Sequence, residues 1–444
     1  YTTLFRSVSD MSEDISNIFS MFNNADVKFP SIKGKDGEEI PVSHGRYSLL
    51  MESRDRDVRK EAFSSVYSQY GQYRNTLAAT YSANLKSSAF FAKMRRYDSA
   101  LAMALDGGEI PVSVYTQLID TVHESLPLMY RYVALRKKAL GVDELHMYDL
   151  YAPMVDEVSM KIPFEEAKEI VKKGLEPLGE EYIQVLSEGM DGGWIDVYEN
   201  QGKRSGAYSW GAYGCHPFVL MNYQDNLNNV FTLAHEMGHS MHSYYSDKNQ
   251  PYLYAGYRIF VAEVASTCNE ALLMEYLLRH TEDKKEKAYL INYFLEQFKG
   301  TLYRQTMFAE FEKITHEMAG RGEPLTAEIL NDIYYKLNEQ YFGDGIVINK
   351  EIALEWSRIP HFYTPFYVYQ YATGYSAAIA ISRKILSGDA VAREGYMKFL
   401  SGGSSMNPID LLKLCGVDMT TPEPVQSALK LFGELLDEME ELLA

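Results

Sequence analysis

Cysteine is scarce in this chain, whose 444 residues include only Cys215, Cys268 and Cys415. These three lie far apart, form no Cys-x-x-Cys pair and are odd in number, which argues against a framework of paired disulfides. So few cysteines are typical of a reducing compartment, and the sequence therefore predicts a cytoplasmic protein. Long apolar runs are missing as well, which argues against a membrane-spanning segment and a secretory leader.

Basic residues are outnumbered by acidic ones. Lys and Arg total 43 against 61 Asp and Glu, so the formal net charge is -18. This balance argues against nucleic acid as the main partner, because phosphate binding needs clustered Lys and Arg, and it disfavours anionic membrane surfaces. Cationic peptides suit it better. The composition predicts no particular oligomeric state.

Helical periodicity runs through most of the chain. Amphipathic patterns cover 51–106, 111–140, 163–192 and the stretch from Leu227 to the C-terminus, with loops expected near 246–256 and 357–366. Because the helical stretches are so extensive, we expect a mainly α fold whose helix content is well above the usual third or so.

Two stretches depart from the helical pattern. Residues 26–43 alternate apolar and polar side chains around Lys35-Asp36-Gly37, which predicts a β-hairpin. Residues 194–223 contain short strand patterns punctuated by glycines, which predict a small β element. Glycines in a strand often mark the close approach of another backbone, so this element could pair with an extended peptide. An ordinary turn-rich connector is the alternative.

The strongest motif is His235-Glu236-Met237-Gly238-His239, in a helical segment without proline. Two histidines four residues apart differ by only about 40° around a helix axis, so both imidazoles face the same way and can bind one Zn²⁺. Glu236 follows the first histidine, where it can accept a proton from zinc-bound water and pass it to the leaving amine. The motif therefore predicts one zinc ion per chain and hydrolysis of peptide bonds.

A third protein ligand is needed, and position 245, where a histidine would serve, is Tyr. The helical segment 258–280 offers Glu263 and Glu270, which are seven residues apart and hence on one face. One of them could complete a His₂Glu site, for which Glu263 is the candidate, while the other could orient a ligand histidine. A solvated or capping carboxylate is the alternative for Glu270.

Two other interpretations of this region are possible. Glu236-x-x-His239 matches the ligand motif of helical di-iron proteins, but that fold needs a second such motif and the sequence has none. His242, one helical turn beyond His239, is interpreted as a structural histidine.

Three motifs in order resemble the M3 metallopeptidases, and within that family its bacterial oligoendopeptidase F branch. They are His235-Glu236-x-Gly238-His239, Phe260-Val261-Ala262-Glu263-Val264-Ala265-Ser266 and the segment His361–Tyr369. Cys215-His216-Pro217-Phe218 and Asn222-Tyr223 add to the likeness, which runs from about Asp26 to the C-terminus.

The resemblance implies His235, His239 and Glu263 as zinc ligands, Glu236 as general base and Glu270 as the group that orients a ligand histidine. It implies a two-lobed helical fold around a deep channel that admits short unstructured peptides and excludes folded proteins. It also implies that the chain begins after an N-terminal helical segment that family members carry. We accordingly expect a helical lobe with the hairpin at 1–140 and a catalytic region at 141–444.

His361 heads a tyrosine-rich segment, and the resemblance implies that it and nearby tyrosines serve as donors to the transition state. Hydrolysis of a peptide builds negative charge on the carbonyl oxygen, which a Tyr hydroxyl or a His N–H can stabilise. We favour His361 and Tyr367 as these donors, then Tyr371, while Tyr363 and Tyr369 stay open. Helix packing is the alternative for any single ring.

The sequence thus predicts a zinc-dependent endopeptidase that hydrolyses internal bonds of short oligopeptides. A non-catalytic helical module that binds zinc or peptides is the alternative. The intact Glu236 argues against that alternative, because a binding module does not need to keep a general base.

Overall fold

The structure is a computed structural model that describes residues 2–155 and 161–444, with side chains from residue 12 onward. The fold is mainly helical (69%) with small sheets, which confirms the predicted fold class at that level. Among the described helices, none combines the length and apolarity that a membrane span requires.

The α-helices of the described part are numbered in chain order. They are α1 Thr2–Met21, α2 His44–Met51, α3 Arg56–Gln72, α4 Arg74–Met94, α5 Ala100–Asp106, α6 Val112–Glu124, α7 Leu126–Leu140, α8 Phe164–Leu175, α9 Glu180–Asp191, α10 Leu227–Asn249, α11 Tyr252–Ala255, α12 Ala262–His280, α13 Lys284–Gln297, α14 Arg304–Gly320, α15 Ala327–Phe342, α16 Tyr369–Leu386, α17 Ala390–Leu400, α18 Pro408–Leu414 and α19 Glu423–Leu442.

Short 3₁₀ and π turns interrupt these helices. The 3₁₀ turns are Met147–Asp149, Glu176–Leu178, Ile259–Val261, Lys350–Arg358 and Pro360–Tyr363, and the π turns are Phe22–Asp26 and Phe298–Tyr303. Glu176–Leu178 separates α8 from α9 within the predicted helical stretch 163–192, and Gly179, which follows it, has a positive φ of 99°.

The chain forms two compact units, each assembled from several stretches. The first comprises Tyr1–Gly107, His123–Val155 and Arg304–Tyr369, and the second comprises Gly108–Val122, Asp156–Tyr303 and Gln370–Ala444. The domain division proposed at residue 140 stays a prediction, because a compact unit is defined by contacts and a domain by independent folding.

In the first unit, α4 packs against α14 and α15, and the rings of Tyr81, Phe311 and Phe362 meet in its core. The predicted hairpin lies here as β1 Ile32–Lys33 and β2 Glu39–Ile40, which pair antiparallel. Gly37 has a φ of +79°, the left-handed conformation that its turn requires.

In the second unit, α10 packs along α12, and α8 packs against both. The predicted β element is a three-stranded sheet of β3 Ile195–Asp196, β5 Phe218–Leu220 and β4 Tyr208–Trp210 in that spatial order. β3 and β5 are parallel, while β4 pairs antiparallel with β5 and lies at the edge of the sheet.

Two of the predicted loops are wrong in part. α10 continues to Asn249 and ends only at Gln250, whose ψ of 148° is extended, because the residue before Pro251 is disfavoured in helical conformation. α11 then occupies most of the remaining loop. Residues 357–366 are largely 3₁₀ turns, the second of which begins at Pro360, whose fixed φ suits a first helical position.

Candidate metal and catalytic site

α10 carries the two histidines of the central motif. Asn226 caps its N-terminus by accepting the N–H of Asn229 at 2.9 Å, and the helix runs without interruption through the motif. His235 and His239 are therefore one helical turn apart on the same face, as the sequence predicts. Their side chains are only 29% and 16% exposed.

α10 and α12 cross closely at Gly238. A Cβ atom at this position would lie 2.5 Å from Cα of Ser266 and 2.8 Å from the carbonyl oxygen of Ala265, distances that real Cβ atoms do not reach. Glycine is thus required for the two backbones to approach. The approach brings Glu263, in the first turn of α12, next to the histidines of α10.

Three potential ligand atoms converge at this crossing. Nε2 of His235 and Nε2 of His239 are 3.2 Å apart, and they lie 3.5 Å and 3.3 Å, respectively, from Oε2 of Glu263. Among the described residues, these three are the one group of His, Cys, Asp or Glu side chains arranged to hold a metal ion. The structure thus brings together the three residues that the sequence singled out as ligands.

Glu270 and Ser266 orient two of these groups. Oε1 of Glu270 contacts Nδ1 of His235 at hydrogen-bonding distance, so that a proton on Nδ1 leaves the Nε2 lone pair directed at the site. Ser266 donates its hydroxyl to Oε2 of Glu263 at 3.0 Å. This contact is the one expected of a group that orients a ligand histidine, the role that the sequence suggests for Glu270. Ser266 was not predicted, although its position three residues after Glu263 was a signal for such a contact.

A buried amide links the two helices beside the site. Asn269 on α12 donates from Nδ2 to the carbonyl oxygen of Ala234 at 3.0 Å, and its Oδ1 accepts the hydroxyl of Tyr182 at 2.9 Å. Ala234 directly precedes His235, so this contact holds the α10 backbone at the first ligand. Sequence reasoning missed Asn269, because its partner is remote in the chain.

The site has a negative electrostatic character. Burial disfavours the imidazolium of His235, but the carboxylate of Glu270 and then that of Glu263 outweigh it and raise the pKa of His235 to about 9. Burial likewise opposes the charge of Glu263, but its hydrogen bond to His239 and the histidine charges lower its pKa to about 2. The anionic carboxylates therefore favour a cation at the point where the ligand atoms meet.

Glu236 lies one residue beyond the first histidine and is only 6% exposed. Its Oε2 has no hydrogen-bond partner among the described residues. Burial raises the pKa of Glu236, against the opposing charges of His235 and His239. A carboxylate with few protein partners and a raised pKa is suited to proton transfer.

The site opens into a cleft of about 820 Å³ in the second unit. His235, Glu236, His239 and Glu263 line it together with the edge strand β4, whose Trp210 is 71% exposed. Ser209 of β4 shares a hydrogen bond of 2.8 Å with Ser240 of α10, which fixes the strand to the metal-site helix. Tyr257 also lines the cleft, and the sequence offered no sign of that.

His361 belongs to the first unit, in the 3₁₀ turn Pro360–Tyr363. Its ring stacks on that of Tyr367, with centroids 6.0 Å apart and planes at 10°. Burial and then the nearby charge of Arg304 lower the pKa of His361, so its imidazole is neutral at neutral pH. A neutral imidazole keeps one N–H donor.

The other tyrosines of this segment have different surroundings. Tyr363 stacks on Phe19 at 4.3 Å, and burial raises its pKa. Tyr369 is 3% exposed. Tyr371 lies near the start of α16, in the part of that helix that belongs to the second unit. The structure thus brings His361 and Tyr367 together, whereas Tyr363 is half-buried and stacks on Phe19.

Two other histidines pack against aromatic rings. His242 is fully buried and stacks on Tyr257 at 3.7 Å, and burial lowers its pKa to about 3. It thus packs as a neutral ring, in line with its structural interpretation. His216 stacks on Trp194 with planes at 3° and contacts the carbonyl oxygen of Pro217.

Comparisons with known proteins give a consistent result. Residues 49–431 match the model of peptidase family M3. Oligopeptidase PepF of Bacillus subtilis (strain 168) is 57% identical over 440 residues, which cover 99% of this chain and 66% of the relative. The chromosomal oligoendopeptidase F of Lactococcus lactis subsp. cremoris is 47% identical over 423 residues, which cover 95% of this chain and 70% of the relative.

Solved structures agree with these relatives. The crystal structure of oligoendopeptidase-F from Enterococcus faecium superposes with a TM-score of 0.84 at 42% identity, over 99% of this chain and 74% of that one. The chain spans 66% of the length of the Bacillus subtilis relative.

Proposed function

The chain belongs to peptidase family M3, and from that premise we propose that it is a zinc-dependent endopeptidase that hydrolyses internal bonds of short oligopeptides. The observation that carries the proposal is the convergence of His235, His239 and Glu263 beside the buried carboxylate of Glu236. Metal ligands alone would make a binding site. A carboxylate base beside them that is not itself a metal ligand makes a hydrolytic site.

The three ligand atoms fit Zn²⁺. Ligands at about 2.0–2.1 Å from a tetrahedral zinc ion lie about 3.3 Å from one another, and the three distances here are 3.2, 3.3 and 3.5 Å. Two imidazoles and one carboxylate also form a donor set that catalytic zinc uses, with a fourth position left for water. When bound, zinc supplies a Lewis acid that lowers the pKa of a water molecule and polarises a carbonyl group.

Glu236 moves the protons in this mechanism. Its carboxylate accepts a proton from the attacking water and then delivers it to the nitrogen of the leaving amine. The raised pKa supports this double role, because it makes the carboxylate a stronger base and brings its acid form closer to neutral pH. Glu270 holds Nδ1 of His235 and Ser266 holds Glu263, so the ligands stay oriented during the reaction.

His361 and Tyr367 are assigned as donors to the oxyanion that forms on the scissile carbonyl, with Tyr371 next. The support is chemical. His361 has a lowered pKa and so keeps an N–H as a neutral ring, and its stacking on Tyr367 restrains both rings. Donors that are held in place before the charge develops stabilise the transition state more than the ground state.

The peptide is proposed to bind along β4. Because β4 lies at the edge of its sheet and lines the cleft, its outer backbone groups are placed to pair with an extended chain. Backbone pairing gives little side-chain selectivity, which suits an enzyme of many short peptides. A two-lobed channel that excludes folded proteins, and a cytoplasmic location without nucleic acid or membrane partners, remain predictions from the sequence.

Glu236→Gln tests the mechanism directly. The variant should keep zinc and the fold, since Glu236 is not a ligand here, and should lose about 10²–10⁴-fold in kcat or more. Cleavage of an internally quenched peptide and the zinc content per chain are to be measured together. Glu188→Gln, which removes an exposed carboxylate on α9 in the same unit, is the control and should be fully active.

The outcomes separate the two candidate functions. Near-normal kcat in a zinc-loaded Glu236→Gln chain would contradict the mechanism. If the unmodified chain binds zinc and peptides but cleaves none, it is the non-catalytic module instead.

A further inference from the structure

A second cavity lies wholly within the first unit. It has a volume of about 370 Å³ and is lined by residues of α2, by the start of α14 and by the 3₁₀ turns around residue 358. Arg304 and Arg358 line it together, and His361 lies on the same wall. The mechanism uses His361 but assigns no role to the two arginines.

The two arginines share a single carboxylate. Oε1 of Glu355 accepts Nη2 of Arg304 at 2.6 Å and Nη2 of Arg358 at 3.0 Å, while its Oε2 accepts the hydroxyl of Tyr334 at 2.5 Å. The Glu355 side chain is 6% exposed, whereas those of Arg304 and Arg358 are 20% and 22% exposed. The carboxylate therefore lies behind the guanidinium groups, and this cluster leaves one positive charge uncompensated toward the cavity.

Both guanidinium groups are held in place by aromatic rings. The Cζ atom of Arg304 lies 4.4 Å from the ring centroid of Phe308, and that of Arg358 lies 5.2 Å from the ring centroid of Tyr47. Stacking fixes the planes and leaves the N–H edges available. Within the part of the chain that the structure describes, Nη1 of neither arginine donates to a protein acceptor.

We propose that this cavity, the arginine pocket, binds a carboxylate group of the peptide substrate. Fixed guanidinium edges match the two oxygens of a carboxylate, and a partly buried excess positive charge is stabilised by an anionic ligand. The inference rests on the proposed function. His361, which the proposed function assigns as a donor to the scissile carbonyl, lines the same cavity, and this shared lining is the reason to expect a substrate group in the pocket.

The carboxylate has two possible sources on a peptide, the free C-terminus and an Asp or Glu side chain. Among the residues that the structure describes, Glu52 is the one further acidic group that lines the pocket, and its side chain is exposed. Its negative charge opposes a carboxylate in the pocket, so its removal should strengthen carboxylate binding, though only modestly because solvent screens that charge.

The test compares four versions of one N-terminally dye-labelled short peptide. Two differ only in a C-terminal carboxylate or amide, and two differ only in an internal Glu or Gln. Their affinities are measured by fluorescence anisotropy on the zinc-loaded full chain carrying Glu236→Gln, so that no cleavage occurs. Neutralising the carboxylate that occupies the pocket should weaken binding about tenfold or more, as expected for charge-assisted hydrogen bonds. The pair that responds identifies the source.

Variants add a second arm. Arg304→Gln and Arg358→Gln should each abolish the preference for the carboxylate, and Arg358→Lys should weaken it, because an ammonium lacks the planar fork. Glu52→Gln should enhance it. Each variant is checked for its melting temperature, because Glu355 loses a partner in the Gln variants. If those variants do not fold, the four peptides and Glu52→Gln decide the matter.

Equal affinity of all four peptides within about twofold would overturn the proposal, since charged hydrogen bonds are worth more than that. Failure of all four to bind would overturn it too. The proposed hydrolase activity is judged separately by cleavage in the unmodified chain. A carboxylate preference without any cleavage would support the arginine pocket and refute the peptidase activity. Cleavage without the preference would support the peptidase activity and refute the arginine pocket.

Discussion

The metal-site helices and the segment His361–Tyr369 serve the same proposed reaction but are built in different ways. The first region consists of two regular helices in the second unit, where His235 and His239 are positioned by helical repeat alone. The second consists of 3₁₀ turns in the first unit, followed by Phe366 at a φ of +57°, a left-handed conformation that non-glycine residues rarely adopt.

The irregular segment is held by residues that are remote in sequence. Asn84 donates from Nδ2 to the carbonyl oxygen of Phe362 at 3.1 Å, and Oε1 of the buried Glu312 accepts the N–H of Phe366 at 2.9 Å. A left-handed residue costs about 1–2 kcal/mol, so these contacts stabilise a backbone that would not form by itself. A regular backbone positions chemistry locally, whereas an irregular one depends on the rest of the fold.

The largest effect is expected where the chemistry is local. His235→Ala and His239→Ala should each abolish zinc binding and activity, because each removes one of only three protein ligands. Zinc content after dialysis against a weak chelator is the measurement. His280→Ala, at the exposed end of α12, is the matched control and should retain zinc. Full zinc affinity and activity in Glu263→Ala would show that the third ligand is assigned wrongly.

The irregular segment should give the next largest effect. His361→Phe and Tyr367→Phe should lower kcat by about 10²–10³, or 2.7–4 kcal/mol, with zinc content unchanged, because each removes a donor to the oxyanion. Tyr371→Phe and Tyr369→Phe complete the series. Tyr363→Phe is expected to be nearly silent, since its ring stacks on the buried Phe19 and Phe keeps that contact. If none of the five variants falls by more than a few-fold, the segment is structural.

A smaller effect is expected from the group behind the first ligand. Glu270→Ala should weaken zinc binding by about 10–100-fold, because Nδ1 of His235 loses the acceptor that fixes its tautomer. Competition with a chromogenic chelator measures the affinity. Ser266→Ala, which removes one neutral hydrogen bond to Glu263, should cost less. The opposite order would mean that the orientation of Glu263, rather than that of His235, controls the site.

The smallest expected effect is a dependence of stability on pH, which arises from Glu312 beside the irregular segment. Burial raises the pKa of Glu312 from 4.5 to about 8, despite the N–H of Phe366. Between these values the folded chain holds a proton that the unfolded chain has released. The stabilisation is thus complete below pH 4.5 and is lost as the pH rises through about 8, with a slope of at most about 1.4 kcal/mol per pH unit.

Glu312→Gln should remove that contribution. Urea unfolding of both chains between pH 5 and 9 (roughly the range that brackets the raised pKa) gives the difference in the free energy of unfolding. The unmodified chain should lose stability relative to the variant as the pH rises. A constant difference across the range would show that Glu312 is ionised at neutral pH.

The regular parts of the fold were predictable because each signal is local. The helical stretch predicted to end at residue 140 does so, with Gly141 after α7 at a φ of 62°, and the i, i+4 histidines share a helix face as expected. The spacing of Glu263 and Glu270 placed both on one face of α12. Their separate contacts, one with His239 and one with His235, depend on the crossing at Gly238, which no spacing reveals.

The remaining features depend on long-range packing. Arg304 and Arg358 are 54 positions apart and meet only through Glu355. Phe366 has an unfavourable φ that its residue type does not predict, and its N–H donates to the remote carboxylate of Glu312. Each compact unit is also assembled from three separate stretches that alternate along the chain, and no shift in composition marks their boundaries.

The crossing at Gly238 has a thermodynamic consequence. An ion shared by His239 on α10 and Glu263 on α12 would act as a reversible cross-link of the folded state, one that is lost when unfolding separates the two helices. Free zinc at a hundred times its dissociation constant would then raise the free energy of unfolding by about 2.7 kcal/mol through mass action. The melting temperature of the second unit would thereby report the free zinc concentration around the protein.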